Sequence, residues 1–254
     1  MNLYRFLERI FPSLVVLSIS IVGLAVFSMG ESMARNDTIA VDVLPASAAA
    51  SEAPSARFTV VIDAGHGGED GGTQSADGIY EKDINLSIAQ KLNDILKISG
   101  ISCVMTRSED ILLYDRQADY HGKKKMLDLK ERRRIAEGTE NAIFVSIHMN
   151  AFPQTRYHGL QVFYSPNNQV SSALAEQVQS AAHDYLQPDN ERKIKKSNSS
   201  IYLLDRLECP AILVECGFLS NEEEAAALAL EEYQQKVSFL LFASLLQFIS
   251  TQSS

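Results

Sequence analysis

Phe58-Thr-Val-Val-Ile-Asp-Ala-Gly-His66, Ala142-Ile-Phe-Val-Ser-Ile-His148 and Ala211-Ile-Leu-Val-Glu215 share one pattern, an apolar run closed by a residue able to bind a metal. Short runs rich in β-branched residues, separated by segments of helical periodicity, read as buried strands of a mainly parallel α/β sheet flanked by helices. In such sheets the ligand crevice lies beyond the carboxyl ends of the strands. His66, His148 and Glu215 therefore converge there. Glu81 joins them as a candidate, standing at the start of a predicted helix just after the glycine-rich loop Gly65-His-Gly-Gly-Glu-Asp-Gly-Gly72.

Around these stretches the rest of the chain falls into place. A helix is expected over about Lys82–Ser99, with Ile84, Ile88, Leu92, Ile95 and Leu96 on one face and Gly100 as its stop. Ile101–Thr106 then reads as a second strand. From Arg107 to Leu127 periodicity is lost, and a loop of that length in a compact domain borders a functional groove or is mobile. A second helix is expected over Asp128–Glu137, where Arg132-Arg-Arg134 reads first as a solvated face and alternatively as a contact for an anionic polymer. Leu160–Tyr164 reads as a strand and Val170–Leu186 as a helix. Pro188–Ser200 is a polar stretch whose Lys193, Lys195 and Lys196 are solvated. Asn221 is placed to cap a helix opening with Glu222-Glu-Glu224, and a last helix is expected over Glu232–Ile249.

With 254 residues, 46% of them hydrophobic, the chain can bury one full core preceded by an N-terminal remainder. In that remainder Arg5 and Arg9 precede the apolar run Leu14–Phe27, followed by the small residues Ser32-Met-Ala34. Residues 1–34 thus read as a cleaved export signal or, over Phe11–Met29, a retained membrane anchor. Residues 35–56 read as an Ala-, Ser- and Pro-rich linker and 57–254 as the catalytic domain, working outside the cytoplasm. The net charge of −9 argues against nucleic acid as a partner. Three cysteines, an odd number, imply no disulfide framework.

Zinc favours histidine nitrogen and carboxylate oxygen, and a catalytic zinc keeps three protein ligands. His66, His148 and one carboxylate meet that description, and Glu215 is then left as a general base for water activated by the metal. Spacing alone leaves Glu69, Asp70, Asp77 and Asp83 in competition with Glu81. Asp63 is expected to accept a histidine N–H behind the site, while Asn150 and His158, after the strand that carries His148, are candidates to meet substrate. A thiol nucleophile, Cys216 with His148 as base, is the rival chemistry. It leaves two candidates without a task, and strand alternation points Cys216 away from Glu215.

At these residues the sequence resembles the zinc-dependent N-acetylmuramoyl-L-alanine amidases of type 3. The matching words are Val61-Ile-Asp-Ala-Gly-His-Gly-Gly-Glu-Asp-Gly-Gly72, Glu81 with Asn85-Leu86, Thr106-Arg107, Leu129-Lys-Glu-Arg132, Val145-Ser-Ile-His-Met-Asn-Ala151 and Leu213-Val-Glu-Cys-Gly-Phe-Leu-Ser-Asn221. Ala64 departs from the family's usual Pro, and Glu137 stands where Asn is usual. The resemblance implies a six-stranded sheet, zinc held by His66, Glu81 and His148, and Glu215 as the catalytic glutamate. It also implies a cut in peptidoglycan between N-acetylmuramic acid and L-alanine. Within the family the likeness is to the germination-specific amidases of the spore cortex. That implies a step toward muramic-δ-lactam made with a deacetylase, an activating lipoprotein, and a place in the cell wall or forespore intermembrane space. The alternatives are a zinc peptidase or deacetylase on the same polymer and a non-catalytic wall-binding module.

Overall fold

The computed structural model describes residues 58–115, 117 and 122–252; the expected export segment over 1–34 and the linker over 35–56 lie outside them. The elements run β1 (Thr59–Ala64), α1 (Glu81–Ile98), β2 (Cys103–Met105), α2 (Lys124–Glu137), β3 (Ala142–Asn150), β4 (Gln161–Tyr164), α3 (Ser171–Ala181), β5 (Lys195–Lys196), α4 (Tyr202–Arg206), β6 (Ala211–Phe218), α5 (Glu222–Ala229) and α6 (Glu231–Gln252). The strands form one six-stranded sheet in the order β2-β1-β3-β6-β4-β5. All pairs are parallel except β4 against β6. Among the described residues no helix is long and apolar enough to cross a membrane.

Alternation along the central strands sorts their side chains into two layers. Val60, Ile62, Ile143, Val145, Ile147, Ile212, Val214 and Cys216 face one core with Ile84, Ile88, Leu92 and Leu96 of α1 and Val237, Leu241, Leu245 and Phe248 of α6. Val61, Phe144 and Leu213 face a smaller core closed by Ala136 of α2 and by Leu203 and Leu204 of α4. With both faces covered, these strands are apolar throughout, as interior parallel strands must be. Two residues further along, the second face changes character. Asp63, Ser146, His148 and Glu215 continue the rows of Val61, Phe144 and Leu213, so the polar site begins where the smaller core ends.

Several boundaries differ from the sequence reading. Helix α2 starts four residues earlier, at Lys124, within the stretch read as loop. The short helix α4, Tyr202–Arg206, had no counterpart in that reading, and its Leu203 and Leu204 fill the smaller core. The expected helix over Val170–Leu186 ends its α-helical part at Ala181 and finishes in a π-helical turn, Ala182–Leu186. Lys195 and Lys196, read as merely solvated, form β5. Their side chains are exposed, and the strand exists through its backbone pairing with Phe163 and Tyr164 of β4. Asn221 caps α5 as expected, its side chain accepting from the Glu224 N–H at 3.0 Å.

Candidate metal centre

Backbone register assembles half of the site. His148 on β3 and Glu215 on β6 are directly paired residues of neighbouring parallel strands, and Asp63 on β1 is paired with Ser146. The remaining half comes from the loop after β1. His66 has φ of 62°, a left-handed conformation uncommon outside glycine. Two arginines hold it there. Arg132, 1% exposed, donates from Nη2 to the His66 carbonyl at 2.6 Å and from Nη1 to the Ala64 carbonyl at 2.7 Å. Arg107, 2% exposed, donates to the carbonyls of Ala64 at 2.8 Å and Gly65 at 3.0 Å. Three consecutive carbonyls are thereby fixed by charged donors, each bond being about twice as strong as a neutral one.

Glu81 is the first residue of α1, where the positive end of the helix dipole favours a carboxylate. Its Oε1 accepts from the Met149 N–H at 3.0 Å and its Oε2 from the Thr73 N–H at 2.9 Å. The same Oε1 lies 2.9 Å from His148 Nδ1 and 3.3 Å from His66 Nε2. The backbone leaves no spare room: a Cβ at Gly65 would stand 2.3 Å from the His148 ring, and one at Gly72, where φ is +69°, would stand 2.5 Å from Glu81 Oε2.

These residues fit a metal on their own geometry. His66, Glu81 and His148 each offer a donor atom within 4.8 Å of the others, and tetrahedral zinc needs its ligand atoms roughly 3.4 Å apart. One buried atom beside them, Glu215 Oε2, has no hydrogen-bond partner, while His66 Nδ1 faces Asp70 Oδ2 at 2.9 Å and its Nε2 lies 3.3 Å from Glu81 Oε1. Buried polar atoms left unpaired in this way call for an explanation, and an ion is one. The charges of the site are set by the same contacts. Burial raises the pKa of Glu81, but hydrogen bonds and charges of the two histidines outweigh it and hold the carboxyl far below its usual range. Burial works to lower His66, yet Asp70 and Glu81 bring it up to about 9. Burial pushes Glu215 up to about 7, against the pull of the histidines.

The four principal candidates are thus brought together: His66, His148 and Glu215 line one cleft of about 250 Å³, walled also by Leu129, Phe144, Tyr202, Leu204 and Leu213, and Glu81 is buried against the two histidines. Of the competing carboxylates only Asp70 borders the cleft. Glu69 pairs with Lys124, Asp70 bridges His66 and Lys125, and Asp77 and Asp83 are exposed. Asp63 does not accept from a histidine: its oxygens are taken by Thr106 Oγ1 at 2.8 Å, Arg132 Nη1 at 2.7 Å and Ser146 Oγ at 2.6 Å. It anchors Arg132 instead. Asn150 sits at the end of β3, where its carbonyl accepts from the Leu219 N–H, and His158 lines a separate surface hollow with Tyr157 and Arg192. Neither lines the cleft. Cys216 is fully buried in the larger core, and burial pushes its thiol far up. The thiol chemistry therefore has no nucleophile at the site.

Arg132 was read with its neighbours as a solvated face, and for Arg133 and Arg134 that is correct, since they pair with Glu137 and Glu131. Arg132 itself turns inward with Asp128 one helical turn before it, at 2.8 Å. That i, i+4 acid–base pair, continued by Ala136, was the available signal that one face of α2 is buried.

The family model described as N-acetylmuramoyl-L-alanine amidase matches residues 60–246. The chain belongs to that family. The amidase is 32% identical over 191 residues to the germination-specific N-acetylmuramoyl-L-alanine amidase of Bacillus subtilis, covering 75% of this chain and 79% of that one. Its fold resembles the CwlD amidase from Clostridioides difficile, solved in complex with the GerS lipoprotein, with a TM-score of 0.71 and 38% identity over 76% of this chain and 98% of that one. The amidase AmiC2 of Nostoc punctiforme matches with a TM-score of 0.65 and 31% identity, covering 76% and 98%. The protein is thus an N-acetylmuramoyl-L-alanine amidase acting on peptidoglycan, with a single α/β domain in its described residues.

Proposed function

We propose that this amidase is a zinc enzyme in which His66, Glu81 and His148 hold the metal and Glu215 is the general base. The supporting observation is the convergence of three donor atoms beside the unpartnered Glu215 Oε2. Bound zinc would supply Lewis acidity toward the scissile carbonyl and toward water. Glu215 takes a proton from the attacking water and returns it to the leaving nitrogen of L-alanine. Its carboxyl, raised to about 7 by burial, has the affinity that such two-way transfer requires near neutral pH. Met149 and Thr73 N–H groups keep Glu81 oriented, and Arg107 and Arg132 keep the His66 loop in place.

The biological setting proposed is the spore cortex, where the cut precedes muramic-δ-lactam formation with a deacetylase; the germination-specific relative supports it. An activating lipoprotein is proposed as a partner, supported by the complex in which the CwlD amidase was solved. Residues 1–34 are proposed as export signal or anchor, 35–56 as linker and 57–254 as the catalytic domain, which places the enzyme outside the cytoplasm. Digestion of cortex-type peptidoglycan by metal-free and zinc-loaded protein, read by mass spectrometry, tests the chemistry. Stem peptides beginning at L-alanine, lost on chelation and restored by zinc, are expected. Shortened peptides or free acetate in their place would favour a peptidase or a deacetylase.

A further inference from the structure

Among the described residues, the cleft carries one cation not consumed by the fold. Of its lining residues, Arg132 is 1% exposed and saturated by Asp63, Asp128 and two carbonyls. Lys125, in the first turn of α2, has a side chain 64% exposed and one ion pair, with Asp70 Oδ2 at 3.1 Å. A lysine ammonium has three donors, so directions toward the open cleft remain. Its neighbour Lys124 is turned to Glu69, which is not among the cleft residues.

Position makes this charge informative. Asp70 Oδ2 is 2.9 Å from His66 Nδ1 and 3.1 Å from Lys125 Nζ, so the ammonium stands just one carboxylate away from a residue proposed to hold the metal. The peptide attached to muramic acid begins with L-alanine. Its second residue is a D-glutamate linked onward through its γ-carboxyl, which leaves the α-carboxylate free or, in amidated walls, a carboxamide. Two residues of extended chain span at most roughly 7 Å from the scissile carbonyl. With the carbonyl at the metal site, that α-group comes within reach of Lys125.

Resting on the amidase reading, we propose that Lys125 is a specificity-determining residue that binds the free α-carboxylate of the second stem residue. The protein carries a formal charge of −9, and the other cleft groups bearing formal charge are acidic or buried. Asp70 and Glu215 would repel an anionic stem, and Lys125 offsets that locally. Replacing the carboxylate by a carboxamide removes the attraction without changing shape.

The test compares two N-acetylmuramoyl peptides, identical except for a carboxylate or carboxamide on that second residue, with the zinc-loaded full chain. Wild type is expected to prefer the carboxylate by about threefold to fivefold in kcat/KM, the upper range for a partly exposed ion pair, with the difference in KM. Lys125→Gln is expected to bring the ratio near one, and Lys125→Arg to restore it; zinc content and melting temperature of each variant exclude a folding defect. Equal rates on both substrates in wild type, or a preference surviving in Lys125→Gln, would overturn the inference while leaving the amidase intact. Cleavage of neither substrate, with the proposed lipoprotein partner added as well as without it, would overturn the zinc-enzyme reading and this inference with it.

Discussion

Replacing Arg132 by Met probes the arrangement most directly, because the side chain keeps its length and loses every charged bond. Arg132 sits between Asp63 and Asp128 at 2.7 and 2.8 Å, all three nearly inaccessible to water. Breaking a buried pair by removing one partner costs about 3–5 kcal/mol, because the remaining charge is stranded. Here Asp63 retains Thr106 and Ser146 as donors and Asp128 retains the Leu113 N–H. The low end, about 3 kcal/mol, is therefore expected, or a melting temperature lower by about 6–12 °C in a domain of this size. The pH dependence carries a sign. In wild type, burial pushes the Asp63 carboxyl upward but the Arg132 charge and the Ser146 and Arg132 bonds outweigh it, so its pKa is lowered. A depressed carboxyl contributes stability that is present above the unfolded pKa and lost as pH falls through the folded one. Without Arg132 burial prevails, the folded pKa rises above the unfolded value, and stability is instead lost as pH rises through it. The gap between the two proteins should be widest at neutral pH and already narrower at about pH 4, closing only below the depressed wild-type pKa. The chain has no tryptophan, so urea unfolding is best followed by far-ultraviolet circular dichroism, with chelator present so that metal affinity does not contribute. A loss under about 1 kcal/mol at pH 7, or a gap as large at pH 4 as at pH 7, would refute the reasoning.

Glu215→Gln should bind zinc like wild type while turnover falls by at least about a hundredfold, the low end for a general acid–base group; near-normal turnover in a single-turnover assay would require a different base. Gly72→Ala places a methyl within 2.5 Å of Glu81 Oε2 at a positive φ, so zinc affinity measured by chelator competition should drop at least about tenfold, as for other disturbed ligand supports. Cys216→Ala should retain most activity and cost about 1 kcal/mol or less in urea unfolding, since it removes one buried sulfur and no reacting group.

The fold was legible wherever burial wrote itself into side chains. β1, β3 and β6 have apolar residues on both faces, and their ends located His66, His148 and Glu215. Glu81 was not separable from four nearby carboxylates by spacing, because its role depends on α1 beginning where the glycine loop returns to β3. β5 was invisible for a different reason. Two exposed lysines carry no hydrophobic signal, and only the free backbone of β4 makes them a strand. The inward turn of Arg132 was masked by its two solvated neighbours, and Asp63 could not be assigned correctly until its true partner was known.

The pairing of His148 with Glu215 across adjacent strands has a consequence for motion. Neighbouring strands are held about 4.8 Å apart by the sheet, so the spacing of these two residues can change only if the core opens. His66 and Glu81 enter from a loop and a helix start, which can open locally. Amide hydrogen exchange should therefore split the site, with Ile147 and Val214 exchanging only through global unfolding and Gly68 to Thr73 through a smaller opening. A metal bound across that divide would slow exchange in the loop far more than in the strands, tying the loop half of the site to the half that the sheet has already fixed.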